Sequence, residues 1–141
     1  TASLDEAALG SVTATAVRLL DNVLDATRYP LARQRREALA TRRIGLGITG
    51  LGDALAMLGL RYDSEAARAM AGRIVESIKL AAYAASADLA REKGAFPAWE
   101  RDRYLAGRFA SRLPAVLRDR IALDGLRNSH LNAISPTGSV S

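Results

Sequence analysis

Leu9, Val12, Ala16, Leu19, Leu20, Val23 and Leu24 recur three and four positions apart, with polar residues between them. That is the period of an amphipathic helix. Ser3 and Glu6 in front of it have the spacing of a capping box, and the helix must stop before Pro30. A short basic helix is expected at about 31–41, with Arg33, Arg35, Arg36, Arg42 and Arg43 running to and past its end. After a glycine-rich run, Gly59 fits a helix stop and Asp63 or Ser64 a helix cap. The longest helix then runs to Lys93 and ends at Gly94. Its apolar stripe (Met70, Ile74, Ile78, Ala81, Ala82, Ala85, Leu89) holds many small residues, which permits close helix–helix approach.

Ala95-Phe96-Pro97 reads as a turn, and 99–109 as a short helix. Pro114 opens another helix that ends near Asp124-Gly125. From Leu126 onward the helical period is lost. The stretch 131–135 is expected to be a strand and 136–139 a loop. The fold class expected is mainly α with one short strand near the C-terminus, in one unit over 1–141. No internal repeat and no flexible linker divides it.

Composition narrows the chemistry. The chain has 141 residues, 49% hydrophobic and 25% charged, which is the balance of a globular domain. It has no cysteine, so disulfides, cysteine-bound metals and thiol mechanisms are excluded within it. His130 is the only histidine, which excludes a multi-histidine metal site. No apolar run is long enough to span a membrane and no signal peptide opens the chain, so a cytoplasmic protein is expected. The chain opens on Thr1 rather than Met, which suggests either processing or a piece cut from a longer polypeptide. The net charge is +5, and Lys79 and Lys93 are the only lysines among 20 basic residues. These residues are spread along the chain and aromatics are 5%, unlike the basic, aromatic-interleaved stripe of a nucleic-acid binder.

Four constellations carry candidate chemistry. Gly45-x-Gly47-x-x-Gly50 matches the dinucleotide fingerprint by letter. It lacks the preceding strand and the βαβ unit that the fingerprint requires, so its glycines read as places where backbones approach. Asp21 with Asp25, and Glu100 with Asp102, are paired acids. Beside Arg18 and Arg28, the first pair reads as a solvated, salt-bridged helix face. His130 has no partner visible in sequence and reads as structural. Pro136-Thr137-Gly138-Ser139-Val140 sets hydroxyls and a glycine behind a proline, a composition suited to cradling an anion with backbone N–H groups. An ordinary polar turn is the alternative.

Three segments together resemble one family. They are 17–25 (VRLLDNVLD), 42–55 (RRIGLGITGLGDAL) and 126–139 (LRNSHLNAISPTGS). In this order and spacing they resemble the large catalytic chain of ribonucleotide reductase, most of all its adenosylcobalamin-dependent class. Tyr83, Ser86, Leu89, Ala90, Glu92, Gly94, Phe96 and Pro97 fit the same pattern between them. The resemblance implies a helical segment of an α/β barrel in an enzyme that converts ribonucleotides to deoxyribonucleotides by thiyl-radical chemistry. It implies that Pro136, Thr137, Gly138, Ser139 and Val140 bind the substrate's phosphates. The hydroxyls of Thr137 and Ser139 and the N–H groups of Gly138 and Val140 would be the donors. It implies adenosylcobalamin in the whole enzyme, and as partners the ribonucleotide and the rest of the reductase chain. Ser135 stands where the family often has alanine, and Val140 where isoleucine is common. The family's catalytic and redox cysteines have no counterpart here, so no catalytic residue and no metal ligand is assigned within this chain. The alternative is a catalytically dead, stand-alone helical module of the same descent, self-associating through exposed apolar faces.

Overall fold

Two long helices packed side by side organise the chain. The computed structural model describes residues 2–135. Helix α1 spans Glu6–Ala26 and α4 spans Glu65–Lys93, and their packing is the most extensive between any two elements described. Around them lie α2 (Ala32–Thr41), α3 (Leu51–Met57), α5 (Arg101–Leu105), a 3-10 turn at Ala110–Arg112 and α6 (Ala115–Asp124). The small residues of the expected stripe on α4 lie along its packed side: Ala82 and Ala85 are buried and Ala81 is partly buried, on a helix that packs closely with α1. Val17 of α1, Leu89 of α4 and Ile121 of α6 meet in the core, joined by Leu126 and Leu131 from the non-helical tail. Fully burying side chains of this size contributes roughly 1.5–3 kcal/mol each.

The helix ends follow local chemistry, with two departures from the expected pattern. Helix α1 is capped by Asp5, not by a box of Ser3 and Glu6. The Asp5 carboxylate accepts the Ala8 N–H at 2.9 Å. A carboxylate there also meets the positive end of the helix dipole, which a serine hydroxyl does not. Ser64 rather than Asp63 caps α4, accepting the Ala67 N–H at 3.1 Å. The helix expected over 99–109 shrinks to Arg101–Leu105 and the separate 3-10 turn. It breaks at Gly107, whose N–H bonds Tyr104 O in a tight turn. Helix α2 ends at Thr41, within the range expected for it, and α4 and α6 end at Lys93 and Asp124, as the stop signals at Gly94 and Gly125 required.

The strand expected at 131–135 is reduced to a single parallel bridge, Leu46 to Asn132. Its backbone hydrogen bonds are nonetheless those of a short parallel pair. Ile44 N–H donates to His130 O at 3.0 Å, Leu46 N–H to Leu131 O at 2.7 Å, and Ala133 N–H to Leu46 O at 3.0 Å. A pair this short gains little from its own ladder and must be held from outside.

Candidate functional site

Residues 136–140, which carry the expected phosphate contacts, lie outside the described residues. The structure describes the run that leads into them, and that run is anchored by a buried polar cluster.

The cluster starts on α1. Val17, Leu20, Asp21 and Leu24 share one helical face, so Asp21 points into the core with its apolar neighbours. It is fully buried, which corrects the expectation of a solvated acidic pair. Its partner is Arg42, 21 residues on, which is also buried. Arg42 sits in the left-handed region (φ 44°) as the C-cap of α2, and this turn aims its guanidinium at α1. Nε donates to Asp21 Oδ1 at 2.8 Å and Nη2 to Asp21 O at 3.0 Å. Nη1 and Nη2 grip the half-exposed Asp25 at 2.8 and 3.0 Å, a two-pronged pairing that a lysine cannot make. Arg18 turns away to pair with Glu92 of α4.

Asn128 closes the cluster from the tail. Its Nδ2 donates to Asp21 Oδ1 at 3.0 Å and to Arg42 O at 3.1 Å. Its Oδ1 accepts the Ser86 hydroxyl of α4 at 3.0 Å, and its own N–H returns to that hydroxyl at 3.1 Å. Asn128 and Ser86 are both fully buried and every side-chain donor of each is used. Arg127 adds a longer bond to Asp21 Oδ2 at 3.3 Å and also bonds Lys93 O and Gly94 O, each at 3.1 Å. A fully satisfied network in a low-dielectric interior holds one geometry, because every alternative leaves a polar group unpaired. Here it ties α1, the end of α2 and α4 to the start of the tail.

The hydrogen bonds from Arg42 lower the Asp25 carboxyl below its ordinary 3.8, against a smaller opposing effect of burial. The folded chain thus binds this proton more weakly than the unfolded chain does. The pair's contribution is complete well above 3.8 and is lost as pH falls through the lowered folded value. Asp25→Asn should therefore flatten the acid end of the stability profile and leave its shape near neutrality unchanged. Thermal unfolding from neutrality down to about pH 3 checks this, and an unaltered acid limb would contradict it.

The glycine-rich run lies beside the tail. Gly45 and Gly47 flank the bridge residue Leu46, and α3 begins only at Leu51, after Gly50 with φ 76°. A Cβ on Gly47 would stand 2.7 Å from Ala133 O, and one on Gly45 3.2 Å from Ala133 Cβ. These glycines let two backbones meet, as the sequence suggested, and no strand-turn-helix nucleotide cradle surrounds them.

A second feature was not read from the sequence. Tyr83, Phe96, Trp99, Tyr104 and Phe109 line a cavity of about 590 Å³ whose rim includes Ser129 and His130. Trp99 packs on Tyr104 at 4.9 Å between ring centres and meets Phe96 edge-on at 5.6 Å. Burial pushes the Tyr83 and Tyr104 phenols up, and the buried Tyr104 hydroxyl makes no hydrogen bond of good geometry. The signal was present, since five of the seven aromatic residues fall between 83 and 109. His130 itself is exposed, with Nδ1 3.1 Å from Ser129 Oγ.

No group of His, Cys, Asp and Glu among the described residues is arranged to hold a metal ion. The aromatic cavity is of drug-like size, and a corrin with its nucleotide loop is several times larger. That cavity alone does not enclose a group of that size. No helix among them is long and apolar enough to cross a membrane.

Comparison with known proteins agrees with this architecture. A vitamin B12-dependent ribonucleoside-diphosphate reductase of Mycobacterium tuberculosis (strain CDC 1551) is 42% identical over 133 residues, covering 94% of this chain and 17% of that protein. The ribonucleoside-diphosphate reductase subunit alpha of Treponema pallidum is 37% identical, covering 97% of this chain and 17% of its own. The large subunit from Arabidopsis thaliana is 34% identical, covering 94% and 18%. The chain thus spans about one sixth of the length of the relatives it matches. The sequence model of the family described as "Ribonucleotide reductase, barrel domain" matches residues 1–141, so the chain belongs to the ribonucleotide reductase barrel-domain family.

Proposed function

We propose that this chain is the part of a ribonucleotide reductase that carries one end of the substrate site. Its helices form scaffold, and residues 136–140 hold the substrate's phosphates. The observation that carries this reading is the anchored run from Asn128 to Ala133, held by buried side chains and then by backbone pairing. A run fixed in this way hands the chain to Pro136-Thr137-Gly138-Ser139-Val140 from a defined position. There the hydroxyls of Thr137 and Ser139 and the N–H groups of Gly138 and Val140 donate to phosphate oxygens. Charge-assisted hydrogen bonds from fixed donors suit a dianionic group.

The substrate is a ribonucleoside diphosphate, the class named for the relatives. Hydrogen abstraction by a thiyl radical needs a cysteine, which this chain lacks, so that step belongs elsewhere in the reductase. The relatives from Mycobacterium tuberculosis and Thermoplasma acidophilum are named as vitamin B12-dependent, which supports cobalamin use by the whole enzyme. The exposed Val12 and Leu19 on α1, and Val116 and Leu123 on α6, face the rest of the reductase in this reading. The enzyme works in the cytoplasm and supplies deoxyribonucleotides for DNA synthesis.

Ser139→Ala in the full-length reductase should raise the Michaelis constant for the ribonucleotide roughly ten-fold or more, the cost of one hydrogen bond to a charged group. Steady-state kinetics decides it. A Michaelis constant equal to that of the parent enzyme would remove the phosphate-binding role from this loop.

A further inference from the structure

Backbone bonds hold the aromatic cavity open. Phe96 N–H donates to Leu126 O at 2.9 Å, Ala98 N–H to Ala40 O at 3.0 Å and Ser129 N–H to Thr41 O at 3.1 Å. These fasten the 96–98 turn to the tail and to the end of α2, and the tail to α2 again. Trp99 is seated against the turn after α6, where a Cβ on Gly125 would stand 3.3 Å from its Nε1. The volume of about 590 Å³ lies in the range of pockets that enclose small organic ligands.

Its chemistry is narrow. Two ring pairs line it, Trp99 with Tyr104 at 4.9 Å and Tyr83 with Phe109 at 5.0 Å between ring centres. Such faces and edges suit another flat ring. Burial pushes both phenols up, so they stay neutral, and the Tyr104 hydroxyl is closed off from solvent behind the wall. The acid and the base of the lining, Glu100 and Arg103, pair with each other at 3.4 Å. Among the described residues no uncompensated carboxylate or guanidinium is left in the lining to draw an ion. The polar side chains that remain are Ser129 and His130, with Oγ and Nδ1 3.1 Å apart at the rim. A protein segment inserting a ring would bring several backbone N–H and C=O groups with it, and one polar pair does not satisfy them. A free small molecule brings none.

We propose that this cavity is a binding site for an uncharged, planar heteroaromatic molecule, whose rings lie against Tyr83, Trp99, Tyr104 and Phe109 and whose heteroatom meets Ser129 and His130 at the rim. The site goes beyond the phosphate-binding reading and shares no residue with 136–140.

The test titrates quinoline and naphthalene into the full-length reductase and follows binding by ligand-observed NMR. The two probes are flat bicyclic rings of one shape, and only quinoline carries a ring nitrogen. Both should bind the parent enzyme, quinoline with a dissociation constant of about 1 mM or below. Ala98 lines the cavity and its side chain is exposed, so Ala98→Trp fills space without disturbing the core. It should weaken both probes by about ten-fold or more, the scale of losing the ring contacts. His130→Phe keeps a flat ring and removes both nitrogens. It should weaken quinoline by about three- to ten-fold, the worth of one neutral hydrogen bond, and leave naphthalene within about two-fold. A parent enzyme that binds neither probe has the cavity filled by the rest of the reductase, and the proposal falls. Binding that Ala98→Trp does not weaken lies elsewhere, with the same consequence. Equal effects of His130→Phe on the two probes remove the heteroatom contact and overturn the assignment. If Ala98→Trp does not accumulate folded, Phe109→Ala takes its place, because that ring is already 44% exposed. It should weaken both probes by about three- to ten-fold, and unchanged affinity overturns the site. None of these outcomes bears on the phosphate loop, since no residue of 136–140 is varied.

Discussion

Arg42→Met should destabilise the chain by about 3–5 kcal/mol, the scale for removing one partner of a buried ion pair. Met matches the stem of the arginine in length and apolar character, so packing is largely kept and charge is what is lost. Asp21 is fully buried, and without the guanidinium it keeps Asn128, the 3.3 Å contact to Arg127 and Lys93 at 3.8 Å. Those do not replace two donors at 2.8 and 3.0 Å on its carboxylate and carbonyl. Asp25 loses its pairing as well, but it is half exposed, and water takes the place of most of that interaction. Arg42→Lys should fall between the two. It restores a charge but not the planar fork that reaches Asp21 and Asp25 together. The double variant Asp21→Leu/Arg42→Met should cost clearly less than the sum of the single ones, because no buried charge is left uncompensated. Urea unfolding of the parent, Arg42→Met, Arg42→Lys, Asp21→Leu and the double variant measures each term. An Arg42→Met chain within about 1 kcal/mol of the parent would mean that Asp21 finds water or another donor, and the cluster would then not be a rigid anchor.

Much of this could be read in sequence because it is local. Helices α1, α4 and α6 announce themselves by period, by Ser64 and Pro114 at their starts, and by Gly94 and Gly125 at their ends. The proximity of the glycine run to another backbone followed from the mismatch between its letters and its context. What sequence order hid is the polar cluster, because its members are far apart in the chain. Asn128 meets Asp21 across 107 positions and Ser86 across 42. The spacing of Asp21 and Asp25 suggested a wet helix face, since acids one turn apart usually are exposed. A stricter reading of the same helix would have helped: Asp21 lies four residues from Val17 and next to Leu20 on the apolar side. A charged residue on that side calls for a distant partner, although sequence does not say which. The strand at 131–135 was overestimated for a related reason. Its residues have strand character, but a strand also needs a neighbour, and among the described residues only 44–46 provides one. The aromatic cavity arises because Tyr83 ends up opposite Phe109 at 5.0 Å, a contact made across a turn that sequence places only loosely.

Asn128→Ala should be nearly as damaging as loss of Arg42, for a different reason. The truncation removes no charge, but it strips a partner from Ser86 Oγ, Arg42 O and Asp21 Oδ1 at once. Leaving a buried polar group unpaired costs about 1–3 kcal/mol, and Asp21 keeps Arg42, so two groups bear most of the loss. The sum is roughly 2–6 kcal/mol before any rearrangement. A water can relieve part of it if the space left by the amide is large enough, which places the expectation in the middle of that range. Ser86→Ala should cost less, about 1–3 kcal/mol, because it orphans only Asn128 Oδ1 and the Asn128 N–H, and these face each other across one small gap. Combining the two changes should show positive coupling. Once Asn128 has become Ala, the serine hydroxyl has lost its acceptor and keeps only the bond it accepts from the N–H of residue 128, so removing it then costs less than it does in the parent. The cycle separates a connected network from two independent contacts. Strict additivity of Ser86→Ala and Asn128→Ala in urea unfolding would sink the claim that α4 and the tail are joined through a single cooperative cluster. With that claim would go the reason for expecting the register of 130–133 to be fixed from inside the helical core.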